Sequence, residues 1–405
     1  MKILLISTNY APELIGIGKY SGEMIDWFAG RGHEVRVVCA PPYYPQWQVE
    51  KEYSSLKYQI ENSLNKKVYR CPLWMPAKPS GLKRLIHLAS FALSSFPIVF
   101  KQIFWKPNVV ICVEPPLFNS FGAIIVSKLS GAKSILHIQD FEVDVAFELG
   151  IVKAGWLKSF VYSVERFLMN RFDKVSTISE AMLDKLNKKG ITPSKQLFFP
   201  NWVDIAFIYP LENSSSYRAE LNIPLNKIVA LYSGNMGEKQ GLEIVIQAAK
   251  ELESGNIQFI MCGSGSALER LRVLAKGLKN ILWLPLQPPE RLNDFLNVAD
   301  IHLLPQQAGA ADLVMPSKLT GMLASGRPII ASADVDTQVE KVVQGCGVVV
   351  TPGDNTAFLQ SIKMLSEDAE LRESLGVKAR EFADNNLRYG VVMKKFENEL
   401  LELIG

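Results

Sequence analysis

Residues 228–265 read IVALYSGNMGEKQGLEIVIQAAKELESGNIQFIMCGSG. An apolar run, Ile228–Ser233, gives way to glycines, then to a helical stretch over Gly241–Leu252. A second apolar run, Gln258–Cys262, again ends in glycines. Short Val/Ile/Leu runs without polar alternation are what strands covered on both faces require, and strand–helix–strand order predicts a parallel βαβ unit.

The same rhythm extends in both directions. Further strands are predicted at Ile281–Pro285, Ile301–Pro305, Pro328–Ser332 and Gly347–Val350, with helices near Ala267–Lys276, Pro289–Val298, Ser317–Ala324, Thr356–Ser366 and over the amphipathic end, Val391–Gly405. Upstream, strands are predicted at Lys2–Ser7, Glu34–Cys39, Lys67–Arg70, Val109–Val113, Ser134–Ile138 and Lys174–Ile178, and helices at Gly18–Gly30, Leu82–Lys101, Phe118–Leu129 and Trp156–Asn170. The fold class is therefore α/β, built as two Rossmann-like, doubly wound parallel-sheet domains. A chain of 405 residues exceeds the roughly 250–300 residues one core supports. The expected boundaries are 1–203, 204–385 and a C-terminal helix, 386–405, packing back on the first domain. A polar connection at 210–226 follows the hinge. Ligands of such sheets sit beyond the carboxyl ends of the strands, so a cleft between two facing sheets is the expected site.

Composition narrows the partners. Forty-four basic residues against 41 acidic give a net charge of +3, too little to call for nucleic acid. Five cysteines are dispersed without a CxxC pair, and four histidines stand far apart. That pattern fits reduced core thiols and no metal cluster. The start, MKILLIS, turns polar too early for a secretory leader, so a cytoplasmic location is expected.

Five loops at predicted strand ends carry candidate chemistry. The first, Ser7–Lys19, places Gly16 and Gly18 at a helix start, where unpaired N–H groups favour an anion and a missing Cβ lets a ligand approach; a tight turn explains it as well. The second, Leu136–Asp144, crowds His137, Gln139 and Asp140 at a strand end. Gln139 and Asp140 are placed for sugar hydroxyls and His137 for proton movement, although a core histidine and a helix N-cap account for His137 and Asp140 equally. The third, Tyr232–Gly241, combines Gly234, Asn235 and Gly237 with Lys239, a set able to cradle phosphate. The fourth, Cys262–Leu268, offers Gly263 and Gly265, which permit close approach of a nucleotide; a plain turn explains them nearly as well. The fifth, Pro305–Gly326, holds Asp312 and then Pro316, Ser317 and Lys318 at a helix start, with Pro316 suited to the first turn. The acids in Asp334-Val335-Asp336 form a DxD, but an ordinary loop is the commoner cause of so short a pattern, and no metal is assigned.

Taken together the segments GRGHEVRVV, VSTISEAM, FFPNWVD, YSGNMGEKQGLE, IMCGSGSALERL, VADIHLLP and MPSKLTGMLASGRPIIAS resemble, in order, the retaining GT-B glycosyltransferases of family four. APELIGIGKYSGEM, APPYYPQWQV and LHIQDFEVD are similar to segments of the colanic-acid-type exopolysaccharide enzymes within that family. The resemblance implies that a nucleotide-sugar donor, GDP- or UDP-linked and for that subgroup GDP-fucose, binds the C-terminal domain. A glycan or lipid-linked acceptor binds the N-terminal one. A hexosyl or deoxyhexosyl group moves with retained configuration, Lys239 and Lys318 offset the charge of the leaving diphosphate, and no metal is required. The sequence departs from the family twice. The glutamate pair of the fifth loop falls on Leu313 and Gly321, and the Arg and Lys of the third loop on Asn235 and Lys239-Gln240. Two other readings stay open: a nucleotide-sugar 2-epimerase of the same architecture, and a non-catalytic nucleotide-sugar-binding protein.

Residues 78–106 mix Lys78, Lys83, Arg84, Lys101 and Lys106 with Phe91, Phe96, Phe104 and Trp105. That composition suits a helix lying on an anionic membrane surface as well as a core helix with a basic outer face.

Overall fold

The apolar runs form strands of two separate sheets. In the first are β1 (Lys2–Ile6), β2 (Glu34–Cys39), β3 (Gln59–Ser63), β4 (Lys66–Arg70), β5 (Val109–Glu114), β6 (Lys133–Ile138), β7 (Lys174–Thr177) and β8 (Gln196–Phe198), ordered β3-β4-β2-β1-β5-β6-β7-β8. All pairings are parallel except β3 with β4. In the second are β9 (Ile228–Asn235), β10 (Ile257–Ser264), β11 (Ile281–Leu284), β12 (Ile301–Leu304), β13 (Ile329–Ser332) and β14 (Gly347–Val350), ordered β11-β10-β9-β12-β13-β14 and parallel throughout. The computed structural model describes residues 1–14, 16–77, 81–148, 155–308 and 316–405.

Helices connect the strands. The first sheet carries α1 (Gly16–Gly30), α2 (Gly81–Lys101), α3 (Asn119–Ser130), α4 (Glu142–Glu148), α5 (Gly155–Met169) and α6 (Glu180–Lys188). The second carries α7 (Ser216–Glu220), α8 (Glu243–Glu251), α9 (Leu268–Leu274), α10 (Leu292–Leu296), α11 (Ser317–Ala324), α12 (Gln338–Val343), α13 (Asn355–Glu367) and α14 (Ala369–Asn386); α15 (Tyr389–Ile404) ends the chain. The chain divides into two compact units, Met1–Pro200 with Met393–Gly405, and Asn201–Val392.

Sandwiching between helices explains the strand composition. Every residue of β5 and of β12 is buried, so an alternating pattern would have placed polar groups in the core. All five cysteines are buried and free of disulfides. The end of α15 packs on the first unit: Phe396 stacks on Phe199 at 3.8 Å, and Glu397 meets His33 at 2.7 Å and Arg31 at 2.7 Å.

Seven elements fall outside the predicted strands and helices: β3, β8, α4, α6, α7, α12 and α14. β3 (QIENS) is a polar edge strand with no apolar run to mark it. α14, of 18 residues, has few apolar side chains and reads as polar. α4 and α12 are short, and their caps and turns hide the period.

The strand order reverses beside β1, which lies between β2 and β5, and beside β9, which lies between β10 and β12. At such points neighbouring loops part and leave room for a ligand.

Candidate active site

In the second unit three of the five loops meet. β9 and β10 run in register to their ends, with Gly234 opposite Gly263 and Asn235 opposite Ser264. Beyond them, Met236 N–H donates to Ser264 O at 2.8 Å and Ala267 N–H to Met236 O at 2.9 Å. This closeness decides the glycines of the fourth loop. A Cβ on Gly263 would overlap the Gly234 carbonyl, and one on Gly265 the Met236 carbonyl; both glycines also have positive φ, 143° and 157°. Gly263 and Gly265 thus serve the approach of one loop to another, where the sequence suggested the approach of a nucleotide.

Gly234 differs. Its missing side chain faces Lys318, whose Cδ would lie 3.4 Å from a Cβ there. The Lys318 stem passes over Gly234, and Nζ reaches 3.4 Å from the Tyr232 hydroxyl and 4.4 Å from the centre of its ring. Tyr232 is fully buried, and its hydroxyl donates to Asn235 O at 2.5 Å. Burial pushes its phenol pKa up, so the hydroxyl keeps its proton and the oxygen faces the ammonium. Tyr232 is a site residue that sequence reasoning missed; an aromatic in a buried strand reads as core.

Lys318 stands in the first turn of α11, after Pro316 in the cap position (φ −57°, ψ 131°) and Ser317, which is exposed. Pro316 therefore precedes the first turn that the sequence assigned to it. The leading N–H groups of the helix lack intrahelical acceptors and, with the helix dipole, favour an anion. Lys239 is exposed on a one-turn 3-10 helix, Glu238–Gln240. That turn is closed by Gln240 Oε1, which accepts from Gly237 N–H at 3.0 Å, and the Lys239 carbonyl accepts from Gln307 N–H at 3.0 Å. The third and fifth loops are so fastened together. Asp312 and Leu313 lie outside the described residues. Gly321 is buried in α11, where a Cβ would meet Leu296 at 3.2 Å and Ile208 at 3.7 Å; apolar packing fills the position that carries a glutamate in the family pattern. Asp334 and Asp336 form the turn before α12, with Thr337 as its N-cap. Among the described residues no three His, Cys, Asp or Glu side chains gather as a metal site.

In the first unit the glycine loop is built around an acid. Glu13 is only 4% exposed and accepts from Asn9 Nδ2 at 3.0 Å and from the N–H groups of Tyr43 and Tyr44, each at 3.0 Å. Burial raises its carboxyl pKa, opposed by those N–H groups. A Cβ on Gly18 would lie 2.5 Å from Glu13 Cβ and Oε2. Gly18 thus makes room for Glu13, whereas Gly16, with φ 59° and its nearest neighbour 3.9 Å away, is the glycine a left-handed turn needs and stays open to solvent. Arg70, 2% exposed, donates to Ala11 O at 2.6 Å and holds the same loop against β4.

At the end of β6, His137 is 3% exposed and bonded at both nitrogens, with Nδ1 2.9 Å from Ser176 Oγ and Nε2 2.8 Å from Gln139 Nε2. The amide nitrogen of Gln139 can only donate, so His137 Nε2 accepts and Nδ1 carries the proton. Burial drives the ring pKa down to about 3. The sequence suggested a proton-moving group; the structure makes His137 a neutral prop that orients Gln139. Gln139 is 9% exposed, while Asp140 is exposed beyond it. On the neighbouring strand β5, Glu114, in register with Ile138, is fully buried, and burial together with Glu165 and Glu142 raises its carboxyl pKa well above the ordinary range.

Two doubly wound domains, one with a lysine and a helix start converging on glycine turns, define the architecture of the two-domain nucleotide-sugar glycosyltransferases. Residues 16–202 match the glycosyl transferase 4-like domain and residues 213–382 the glycosyl transferases group 1 domain. The chain is 43% identical, over 99% of its length and 100% of the relative, to WcaI of Escherichia coli strain K12, a protein assigned to colanic acid biosynthesis as a glycosyl transferase. It is 26% identical, over 72% of this chain and 56% of the relative, to the sulfoquinovosyl transferase SQD2 of Arabidopsis thaliana. Sucrose-phosphate synthase from Thermosynechococcus elongatus shares the fold with a TM-score of 0.77 over 99% of this chain and 98% of that one, at 16% identity. Anabaena HepE, solved with UDP and glucose, does so at 0.69 over 99% and 100%, at 15% identity. The chain belongs to the group 1 glycosyltransferase family and is a glycosyltransferase with the GT-B fold.

Proposed function

We propose that the enzyme transfers a hexosyl or deoxyhexosyl group, fucose from GDP-fucose as the first candidate, to a glycan or lipid-linked saccharide in exopolysaccharide assembly on the cytoplasmic side, with retention of configuration. The observation that carries the donor assignment is the convergence of Lys318, Gly234 and the start of α11. A diphosphate there would meet one ammonium and a row of helix N–H groups. Departure of the nucleoside diphosphate builds charge on its bridging oxygen, and those fixed donors stabilise it without reorganising. Attack by the acceptor hydroxyl on the face the diphosphate leaves would retain the configuration, with the diphosphate oxygen taking the hydroxyl proton. Gln139, Asp140 and the loop held by Glu13 are the groups of the N-terminal unit assigned to the acceptor. The relationship to WcaI supports the polysaccharide context, and HepE, a more distant relation in fold, holds UDP.

The test is a panel of GDP- and UDP-sugars incubated with the enzyme, with and without polyprenyl-diphosphate saccharides. Acceptor-dependent transfer from GDP-fucose with the α or β configuration unchanged is the expected result. Epimerised free donor, or nucleotide binding without turnover, would overturn the reading, and preference for UDP would remove fucose from it.

A further inference from the structure

Helix α2 has a buried face and an exposed apolar one. One buries His87, Phe91, Ser95 and Val99 inside the N-terminal unit. The other carries Ile86, Leu93 and Phe100 and, in the 3-10 turn Gln102–Trp105 that follows, Phe104, spaced as one helical stripe. Leu93 is 77% and Phe104 81% exposed. The stripe continues onto the neighbouring helices. A groove of about 330 Å³ between α2 and α3 is lined by Leu93, Phe96, Phe118 and Phe121. A second, of about 300 Å³ among α3, α4 and α5, shares Phe118 and Phe121 and adds Phe147 and Phe160. Contiguous apolar surface on this scale marks an interaction site.

The exposed charges of α2 and α3 are basic. From Gly81 to Ser130 the chain has five Lys and Arg residues and a single acid, Glu114, which is fully buried in β5. Lys83 and Lys101 are exposed at the two ends of α2, and Lys128 lies on α3 one residue before the exposed Leu129. On α5, Lys158 lies 5.6 Å from the Phe147 ring, and the acid of that helix, Glu165, is buried against Lys189. Glu142 borders the second groove and accepts from Leu117 N–H; Asp144 is paired with Lys185 and Lys189. Lys83–Trp105 is apolar and long enough, at 23 residues, to cross a bilayer. Its other face packs in the fold through Phe91 and Val99, an arrangement that suits a helix lying on a membrane surface.

We propose that the α2–α3–α5 face docks on an anionic lipid bilayer, with α2 in the interfacial plane, Leu93 and Phe104 among the acyl chains and Lys83 and Lys101 at the headgroups. Docking would present the N-terminal unit to a lipid-linked acceptor, a consequence that rests on the acceptor proposed above.

Sedimentation of the full chain with vesicles tests the surface without donor or acceptor. The protein is expected to pellet with phosphatidylcholine vesicles containing phosphatidylglycerol and far less with pure phosphatidylcholine. Leu93→Asp combined with Phe104→Asp is expected to lower the bound fraction at least about tenfold, with an unchanged thermal melt and unchanged nucleoside-diphosphate affinity. Lys83→Gln with Lys101→Gln is expected to erase the preference for anionic lipid. No vesicle binding, equal binding by the folded Leu93→Asp/Phe104→Asp variant, or a dimer that this variant splits while vesicles are ignored would overturn the proposal. Loss of nucleotide binding in the native protein would sink the donor assignment and leave the vesicle result standing.

Discussion

The Lys318 ammonium sits 4.4 Å over the ring of Tyr232 and 3.4 Å from its hydroxyl. A cation held there is oriented by a fully buried side chain, which costs little entropy when an anion arrives. Lys318→Ala should weaken nucleoside-diphosphate binding by about 1.5–3 kcal/mol, the range for a hydrogen bond to a charged group. Tyr232→Phe keeps the ring and should cost less. Titration calorimetry with GDP and UDP measures both, and an unchanged affinity for Lys318→Ala would take that lysine out of the site.

Gly263→Ala is expected to be among the most damaging single-methyl additions in the chain. The new Cβ would overlap the Gly234 carbonyl, and φ at 143° is unfavourable for any side chain. Strain of this kind costs about 1–3 kcal/mol, with overpacking adding a similar amount. Urea unfolding should show the loss. A normal midpoint would mean that the two loops separate easily.

Gly18 and Glu13 should behave as a coupled pair. Gly18→Ala forces a methyl to 2.5 Å from Glu13 and should destabilise by about 1–3 kcal/mol. In a Glu13→Ala background the same methyl has room and should cost less. A double-mutant cycle reads the difference, and strict additivity would contradict the packing described.

Stability should fall with acid through the histidines. Burial holds His137 and His302 down to about 3, and lowers His87 as well. An unfolded histidine titrates near about 6.5. Below that pH the unfolded state therefore binds protons that the folded state refuses, and stability is lost as pH falls from about 6.5 toward 3. His137→Gln should flatten the decline between these limits. Urea midpoints over that range check it, and an identical slope would show that His137 is protonated in the fold.

The sequence by itself determined the two-domain α/β architecture. Val109–Val113 and Ile301–Pro305 are legible as strands because a strand covered on both faces favours apolar side chains, and that signal is local. Gly16 and the start of α11 are legible for the same reason, since turns and caps are set by neighbouring residues. Tertiary structure alone decided what the other groups do. Gly18 and Gly263 are glycines because of Glu13 and the Gly234 carbonyl, His137 is a prop because Ser176 and Gln139 occupy its nitrogens, and Tyr232 belongs to the site because Lys318, 86 positions away, folds over it. These roles come from contacts between loops far apart in the chain, and such contacts leave no period or motif in the residues that make them.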